Sequence, residues 1–265
     1  MSAAIPSDDL TDQDLIDRDL TDDALLGGRL QLLQPARGHR AGHDALLLAA
    51  SVPADAGRAV DLGAGVGTAG LALAVRVPGV EVCLVEIDPA TADLAARNAA
   101  RQVPNLSHRV TVVTADVASL AKPSGPALPA PRAADVVLMN PPFNDPARHR
   151  ISPRDQRALA HSLDDTDITP WLRAAERLLG AGGRLHLIHR PEALAALLDA
   201  MKGRFGAIAI RPVHGKPDAP AIRILVSAIK GRRTPPSLLP GLVLADAEGK
   251  PTPEATRLLR GEGGL

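Results

Sequence analysis

The chain has 265 residues, 45% of them hydrophobic, enough for one large domain with a sizeable core. With two Phe, one Trp and no Tyr, that core must be aliphatic packing of helices on a sheet, and each aromatic is informative where it occurs. Formal charge sums to zero, no apolar run approaches the roughly 20 residues of a membrane span and no apolar stretch follows a basic start, which predicts a soluble, cytoplasmic protein with no membrane partner.

Charge is unevenly spread. Residues 1–25 hold eight aspartates against Arg18 alone, the composition of a self-repelling, disordered tail, which we draw over residues 1–28. The remainder, 29–265, reads as a single domain. Residues 202–233 hold eight Lys/Arg against Asp218 alone, a candidate electrostatic footprint for nucleic acid.

From about residue 42, short β-branched runs alternate with Ala/Leu-rich stretches, the pattern of βα units around a mostly parallel sheet. In chain order the pattern predicts a helix over 43–51, a strand over 58–62, a helix over 67–77, a strand over 80–86 and a helix over 89–101. Strands over 109–114 and 135–139 follow, then a helix over 170–179, a strand over 184–189 and a helix over 191–203 with Pro191 in its first turn. The lone Cys83, within "VEVCLVEID", reads as a buried small hydrophobe. The Pro-rich "KPSGPALPAP" (122–131) reads as a flexible insertion, and 140–168 as a loop overhanging the active face. "AIAIRPV" (207–213) and "AIRILVSAI" (221–229) have no helix between them, which predicts an antiparallel hairpin at the sheet edge. Five parallel strands ending in such a hairpin is the order of the methyltransferase variant of the doubly wound fold.

"VDLGAGVGTAG" (60–70) sets Asp61, Gly63, Gly65 and Gly67 between a strand and a helix, where backbone turns sharply and approaches a ligand. Gly65, Gly67 and Gly70 also satisfy G-x-G-x-x-G, so a dinucleotide fits this loop as well, as does a plain tight turn. Glu86 ends the second strand, where a carboxylate can accept both hydroxyls of an adenosine ribose; the position serves NAD and S-adenosylmethionine equally. Asp116 ends the third, placed either to accept from an adenine amino group or to cap a short helix.

"VVLMNPPFND" (136–145) separates the cofactors. Asn140, Pro141, Pro142 and Phe143 together, at the ligand edge of the fourth strand, are more than a strand-ending turn. A planar amine such as the exocyclic nitrogen of adenine keeps its lone pair delocalised. If the Asn140 side-chain oxygen accepts one N–H and the Pro141 carbonyl the other, that nitrogen is drawn towards tetrahedral geometry and its lone pair faces a methyl donor. The prolines fix the carbonyls, and Phe143 offers a stacking face.

These motifs in this order resemble class I S-adenosylmethionine-dependent methyltransferases that act on exocyclic or amide nitrogens. The chain looks, more narrowly, like the bacterial tRNA adenine-N6 methyltransferase family that modifies the purine 3′ of the valine anticodon. "GHRAGHDALLLAA" (38–50), "APAIRILVSAIKGRR" (219–233) and "GLVLADAEGKPTPEATRLLR" (241–260) extend the resemblance over roughly residues 30–262. It implies a Rossmann-like α/β fold with a seven-stranded mostly parallel sheet, and S-adenosylmethionine as cofactor. It also implies roles. Arg40, Gly42 and Asp44 would flank the methionine end of the cofactor, and Gly63, Ala64, Gly65 and Gly67, with Asp61 and Asn140, would line it. Glu86 would hold the ribose and Asp116 the adenine, with Ile87 and Val117 also against the cofactor, while Asn140 to Phe143 would hold the target amine. Many relatives carry Tyr and Phe where this chain has His39 and Ala41.

The substrate implied is RNA, a tRNA: Arg148, Arg150, Arg154 and Arg157 follow the motif with Asp155 as the only acid, and Lys230, Arg232 and Arg233 form a second basic patch. His39 and His43 lack ligand spacing for a metal and read as polar loop or helix-start residues, and His186 and His189 as packing or edge residues. Rival readings are a ribosomal-RNA guanine-N2 methyltransferase, a protein glutamine-N5 methyltransferase, a small-molecule N-methyltransferase and a non-catalytic RNA-binding protein of the same fold. The pattern sets no oligomeric state.

Overall fold

The computed structural model describes residues 20–36, 42–122, 124–125, 128, 133–142 and 167–265. In chain order these form β1 (Leu20–Leu25), β2 (Leu30–Pro35), α1 (His43–Ser51), β3 (Arg58–Leu62), α2 (Thr68–Arg76), β4 (Glu81–Glu86), α3 (Pro89–Arg101), β5 (Val110–Thr114), α4 (Val117–Leu120) and β6 (Ala134–Met139). Then follow α5 (Thr169–Leu178), β7 (Leu179–His189), a 3-10 turn at Pro191–Ala193, α6 (Leu194–Met201), β8 (Phe205–His214), β9 (Ala221–Lys230), β10 (Ser237–Leu238), β11 (Leu242–Val243) and α7 (Pro253–Leu259).

The main sheet runs β10-β8-β9-β7-β6-β3-β4-β5, with β11 also on β8. Strands β3 to β7 are mutually parallel, β9 is antiparallel to β7, and β8 to β9. The order reverses between β3 and β6, and the crevice above that point is where open α/β sheets bind ligands. Strand residues alternate between two cores: Ala59, Val82, Leu84, Val136 and Leu138 pack with α1, α2 and α3 on one face. On the other face Val60, Leu62, Val85, Val137 and Met139 pack with α4, α5 and α6. Cys83 is buried in the second core, where burial pushes its thiol up to about 11 and leaves it a small hydrophobe.

Two expectations change. The acidic tail drawn to residue 28 stops earlier, because residues 20–25 pair antiparallel with 30–35 and Leu26 is buried. Leu26, Leu30 and Leu32 are buried and give the hairpin its apolar side. Helix α3 then satisfies the backbone of β2: Asn98 accepts from the Leu33 N–H (2.8 Å) and donates to the Leu33 carbonyl (2.9 Å). Gln102, one turn on, does the same for Gln31 (3.0 and 2.7 Å). Asn98 also donates to the Val66 carbonyl in the glycine loop (3.1 Å), tying the hairpin to the ligand edge.

The second change is at the other end. The β8–β9 hairpin is not the edge of the sheet, since β10 and β11 pair parallel to β8. The chain after β9 returns along β8 and gives its exposed backbone partners, as the Leu239 N–H does for the Ile210 carbonyl (2.8 Å). The insertion at 122–131 and the overhanging loop at 140–168 fall largely outside the described residues.

Candidate active site

The switch point carries the glycine loop. Gly63 and Gly65 have φ of 65° and 56°, the left-handed region that side chains disfavour. A Cβ on Gly63 would also lie 2.5 Å from the Trp171 ring, whereas Gly65 faces open space and its N–H donates to Glu86 Oε2 (2.8 Å). Gly67 combines a left-handed φ of 92° with close packing and Gly70 answers to packing alone, since a Cβ on either would press on Leu84. The Ala64 N–H donates to the Val85 carbonyl (2.9 Å), fixing the loop to β4.

Asp61 lies behind this loop and not on it. It is 2% exposed and accepts from the Gly70 N–H (2.8 Å), which anchors the start of α2. Burial pushes its carboxyl up to about 7, against the pull of that hydrogen bond and with a smaller push from the Glu86 charge. The expected place of Asp61 on the cofactor-lining surface is therefore corrected: it is a buried tie.

Glu86 accepts from three backbone N–H groups, those of Gly65, Ile87 (2.8 Å) and Asp88 (3.0 Å). A carboxylate has about four lone-pair sites, so its orientation is fixed while some acceptor capacity remains. Ile87 beside it is 64% exposed, an apolar surface presented at the ligand edge. Asp88 caps α3, and its hydrogen bonds from Thr91 hold its carboxyl below the usual range. Asp116 caps α4 by accepting from the Ala118 N–H (2.9 Å), so its capping role is realised. Val117, expected to line the cofactor, is buried in the core under α4; the helix start turns its side chain inward.

Asn140 follows Met139, which pairs with Leu62, so Asn140 and Gly63 are the next residues of neighbouring strands. Its Oδ1 is buried with no hydrogen-bond partner among the described residues, while Pro141 is buried and Pro142 exposed. A buried, unpaired acceptor costs about 1–3 kcal/mol, which is retained where a ligand supplies the donor. Phe143, Arg40, Arg148, Arg150 and Arg154 lie outside the described residues.

At the start of α1, Gly42 is extended and Asp44 accepts from Arg223 Nε (2.7 Å), an ion pair that joins α1 to β9 at the ligand edge. Lys230, Arg232 and Arg233 stand elsewhere. β9 runs antiparallel to β7, with Ile224 opposite His189 and Ile229 opposite Arg184, so its C-terminal end lies at the edge opposite the glycine loop. Lys230 donates to the Leu179 carbonyl there (2.6 Å). This second basic patch is therefore remote from the glycine loop, because strand direction, not sequence distance, decides which edge a residue reaches.

His186 is a packing residue: it is buried on β7 with Nδ1 3.1 Å from Ser51 Oγ, and burial, aided by the Arg184 and Arg76 charges, brings it down to about 4. Its Nε2 has no partner among the described residues. His189, at the edge, accepts from the Arg190 N–H (2.9 Å). No group of three or more His, Cys, Asp or Glu stands in metal-binding geometry among the described residues. Sequence reasoning missed Trp171 and Arg223. The single tryptophan of a tyrosine-free chain was a signal for the first; the second needed the strand directions.

A glycine loop at the switch point, a carboxylate after the second strand and an Asn-Pro-Pro turn after the fourth define a class I methyltransferase. Residues 41–211 match the methyltransferase small domain family, and the chain belongs to it. A crystal structure of a predicted O-methyltransferase, protein Atu636 from Agrobacterium tumefaciens, is similar at 30% identity and a TM-score of 0.66, covering 84% of this chain and 98% of that one. A Porphyromonas gingivalis W83 protein named tRNA1(Val) (adenine(37)-N6)-methyltransferase is 32% identical over 154 residues, 56% of this chain and 58% of its own length. A Bifidobacterium longum release factor glutamine methyltransferase is 32% identical over 143 residues, 49% of this chain and 46% of its own length. The chain thus spans well under two thirds of the curated relatives it matches.

The cofactor is S-adenosylmethionine, and the residues present fit it. Glu86 is oriented at the end of β4 with acceptor capacity left, Ile87 is an exposed apolar surface beside it, and Asn140 Oδ1 has no partner among the described residues.

Proposed function

We propose that this chain methylates the exocyclic amine of an adenine in tRNA, the one 3′ of the anticodon, within the cytoplasm. The observation that carries the reading is the unpartnered, buried Oδ1 of Asn140 beside Gly63, an acceptor held ready for an N–H. The name of the P. gingivalis relative supports the choice of acceptor.

In this reading S-adenosylmethionine supplies a sulfonium methyl group. Glu86 binds the ribose hydroxyls, Ile87 covers the adenine and Asp116 accepts from its amino group. Asp44, pinned by Arg223, marks the methionine end. Asn140 Oδ1 and the Pro141 carbonyl accept the two N–H bonds of the target amine and turn its lone pair towards the methyl group. The nitrogen forms its bond to the methyl carbon as the C–S bond breaks and S-adenosylhomocysteine leaves; the proton of the resulting cationic amine is then lost to water, so no strong base is needed before transfer. Catalysis then comes from positioning and from acceptors that need no reorganisation. Phe143 stacks the base, and Arg148, Arg150 and Arg154 hold phosphates of a single-stranded loop.

Glutamine-N5 methylation of a protein is the second reading, favoured by the B. longum relative. An amide nitrogen presents the same two N–H bonds to the same two acceptors. The test is methyl incorporation from labelled S-adenosylmethionine into bulk tRNA lacking its native N6-methyl mark, with nucleoside mass spectrometry. N6-methyladenosine in the tRNA is expected. Unlabelled tRNA alongside a labelled release factor would replace this reading with the second.

A further inference from the structure

Trp171, in the first turn of α5, sends the rim of its six-membered ring against Gly63: two ring carbons lie 2.5 and 2.9 Å from where a Cβ would be. Only glycine at position 63 leaves room for that contact. The indole is half-buried, packed on the core that holds Leu62, Met139 and Leu172. Gly63 in turn neighbours Asn140, whose carboxamide oxygen has no partner among the described residues. A large flat side chain, a glycine that yields to it and an open acceptor therefore meet at one point of the ligand edge.

We propose that Trp171 is a specificity-determining residue, its indole forming the flat apolar wall against which a planar acceptor base lies while Asn140 takes the amine. This rests on the methyl-transfer reading above and deepens it. A wall of this kind favours a nucleobase over a glutamine side chain, because every base has a face to stack and an aliphatic amide has none. Trp171 does not replace the acceptors. It sets the plane in which the amine meets them.

With one Trp and no Tyr, the indole emission of the protein comes from Trp171 alone. The test uses the full chain saturated with S-adenosylhomocysteine, so that the cofactor site is filled, and titrated with adenosine or with N-acetylglutamine amide. Adenosine should quench the emission saturably, beyond the loss shown by free N-acetyltryptophanamide, and the glutamine amide should not. Trp171→Leu should raise the acceptor KM about ten- to a hundredfold, the loss of one stacked base, and leave S-adenosylhomocysteine affinity within about twofold. Trp171→Phe should recover most of that loss.

Adenosine quenching no different from the free indole would overturn the wall even if tRNA is methylated. So would equal acceptor KM values for the Leu and wild-type proteins. Saturable quenching by adenosine with no methylation of tRNA would instead keep the wall and remove the tRNA reading. The quenching experiment needs no variant, so a misfolded Trp171→Leu protein does not block it.

Discussion

The two edges of the main sheet carry similar kinds of residue and use them differently. At the edge opposite the glycine loop, charges are spent on structure. Arg184 pairs with Asp55 through two contacts (3.0 and 2.9 Å), Arg58 with Glu81, and Lys230 with the Leu179 carbonyl. Arg109 donates to the carbonyls of Ala74, Val77 and Val80, which end α2 and lead into β4. At the ligand edge, polar groups are fixed yet left with capacity: Glu86 is oriented by three N–H groups, and Asn140 Oδ1 has no partner among the described residues. Whether a polar group is already satisfied, more than how many charges are present, separates a binding edge from a supporting one.

Asn140→Ala should break the ligand edge most severely. Methyl transfer should fall by orders of magnitude in single-turnover assays while S-adenosylhomocysteine binding, followed by calorimetry, stays within about threefold. Gly63→Ala comes next, because it forces a side chain into positive φ and into Trp171. S-adenosylhomocysteine binding should weaken more than about tenfold and the urea midpoint should drop. Glu86→Gln turns an amide NH2 towards backbone donors, and about a ten- to hundredfold weaker S-adenosylhomocysteine affinity is expected.

A smaller effect lies in pH. Asp61 has its carboxyl raised to about 7 in the fold against 3.8 for a free carboxyl, so the folded state binds more protons between those values. Its contribution to stability is present below about pH 4 and is lost as pH rises towards 7. His186, lowered from 6.5 to about 4, works the other way, its contribution being present above 6.5 and lost as pH falls towards 4. Urea midpoints of wild type and Asp61→Asn should therefore diverge with pH, the wild type gaining on the variant as pH drops from 7 to 4. Parallel profiles would mean that Asp61 titrates as an exposed carboxyl. Smallest of all, Arg232→Ala with Arg233→Ala should change the acceptor KM less than about twofold. A large change would bring the substrate around to the far edge.

Most of the fold was legible because its signals are local. Helices at 43–51 and 89–101 and the strand at 58–62 match the structure residue for residue, the helices starting at a Gly and an Asp cap. The glycine loop, Glu86 and Asn140 were legible as chemistry at strand ends. What escaped depends on pairing across the chain. Nothing near residue 20 says that Asn98 and Gln102, far along the sequence, will satisfy β2. The role of Asp61 turns on its 2% exposure, and the place of Lys230 on the direction of β9, neither of which is local.

The central claim is that ligand chemistry sits at the Gly63, Glu86 and Asn140 edge and nowhere on the other. A crystal structure of the complex with S-adenosylhomocysteine tests it most directly. The account predicts the ribose hydroxyls on Glu86, the adenine against Ile87 and the sulfur facing Asn140. A ligand seated at the opposite edge, or one whose sulfur faces away from Asn140, would contradict it.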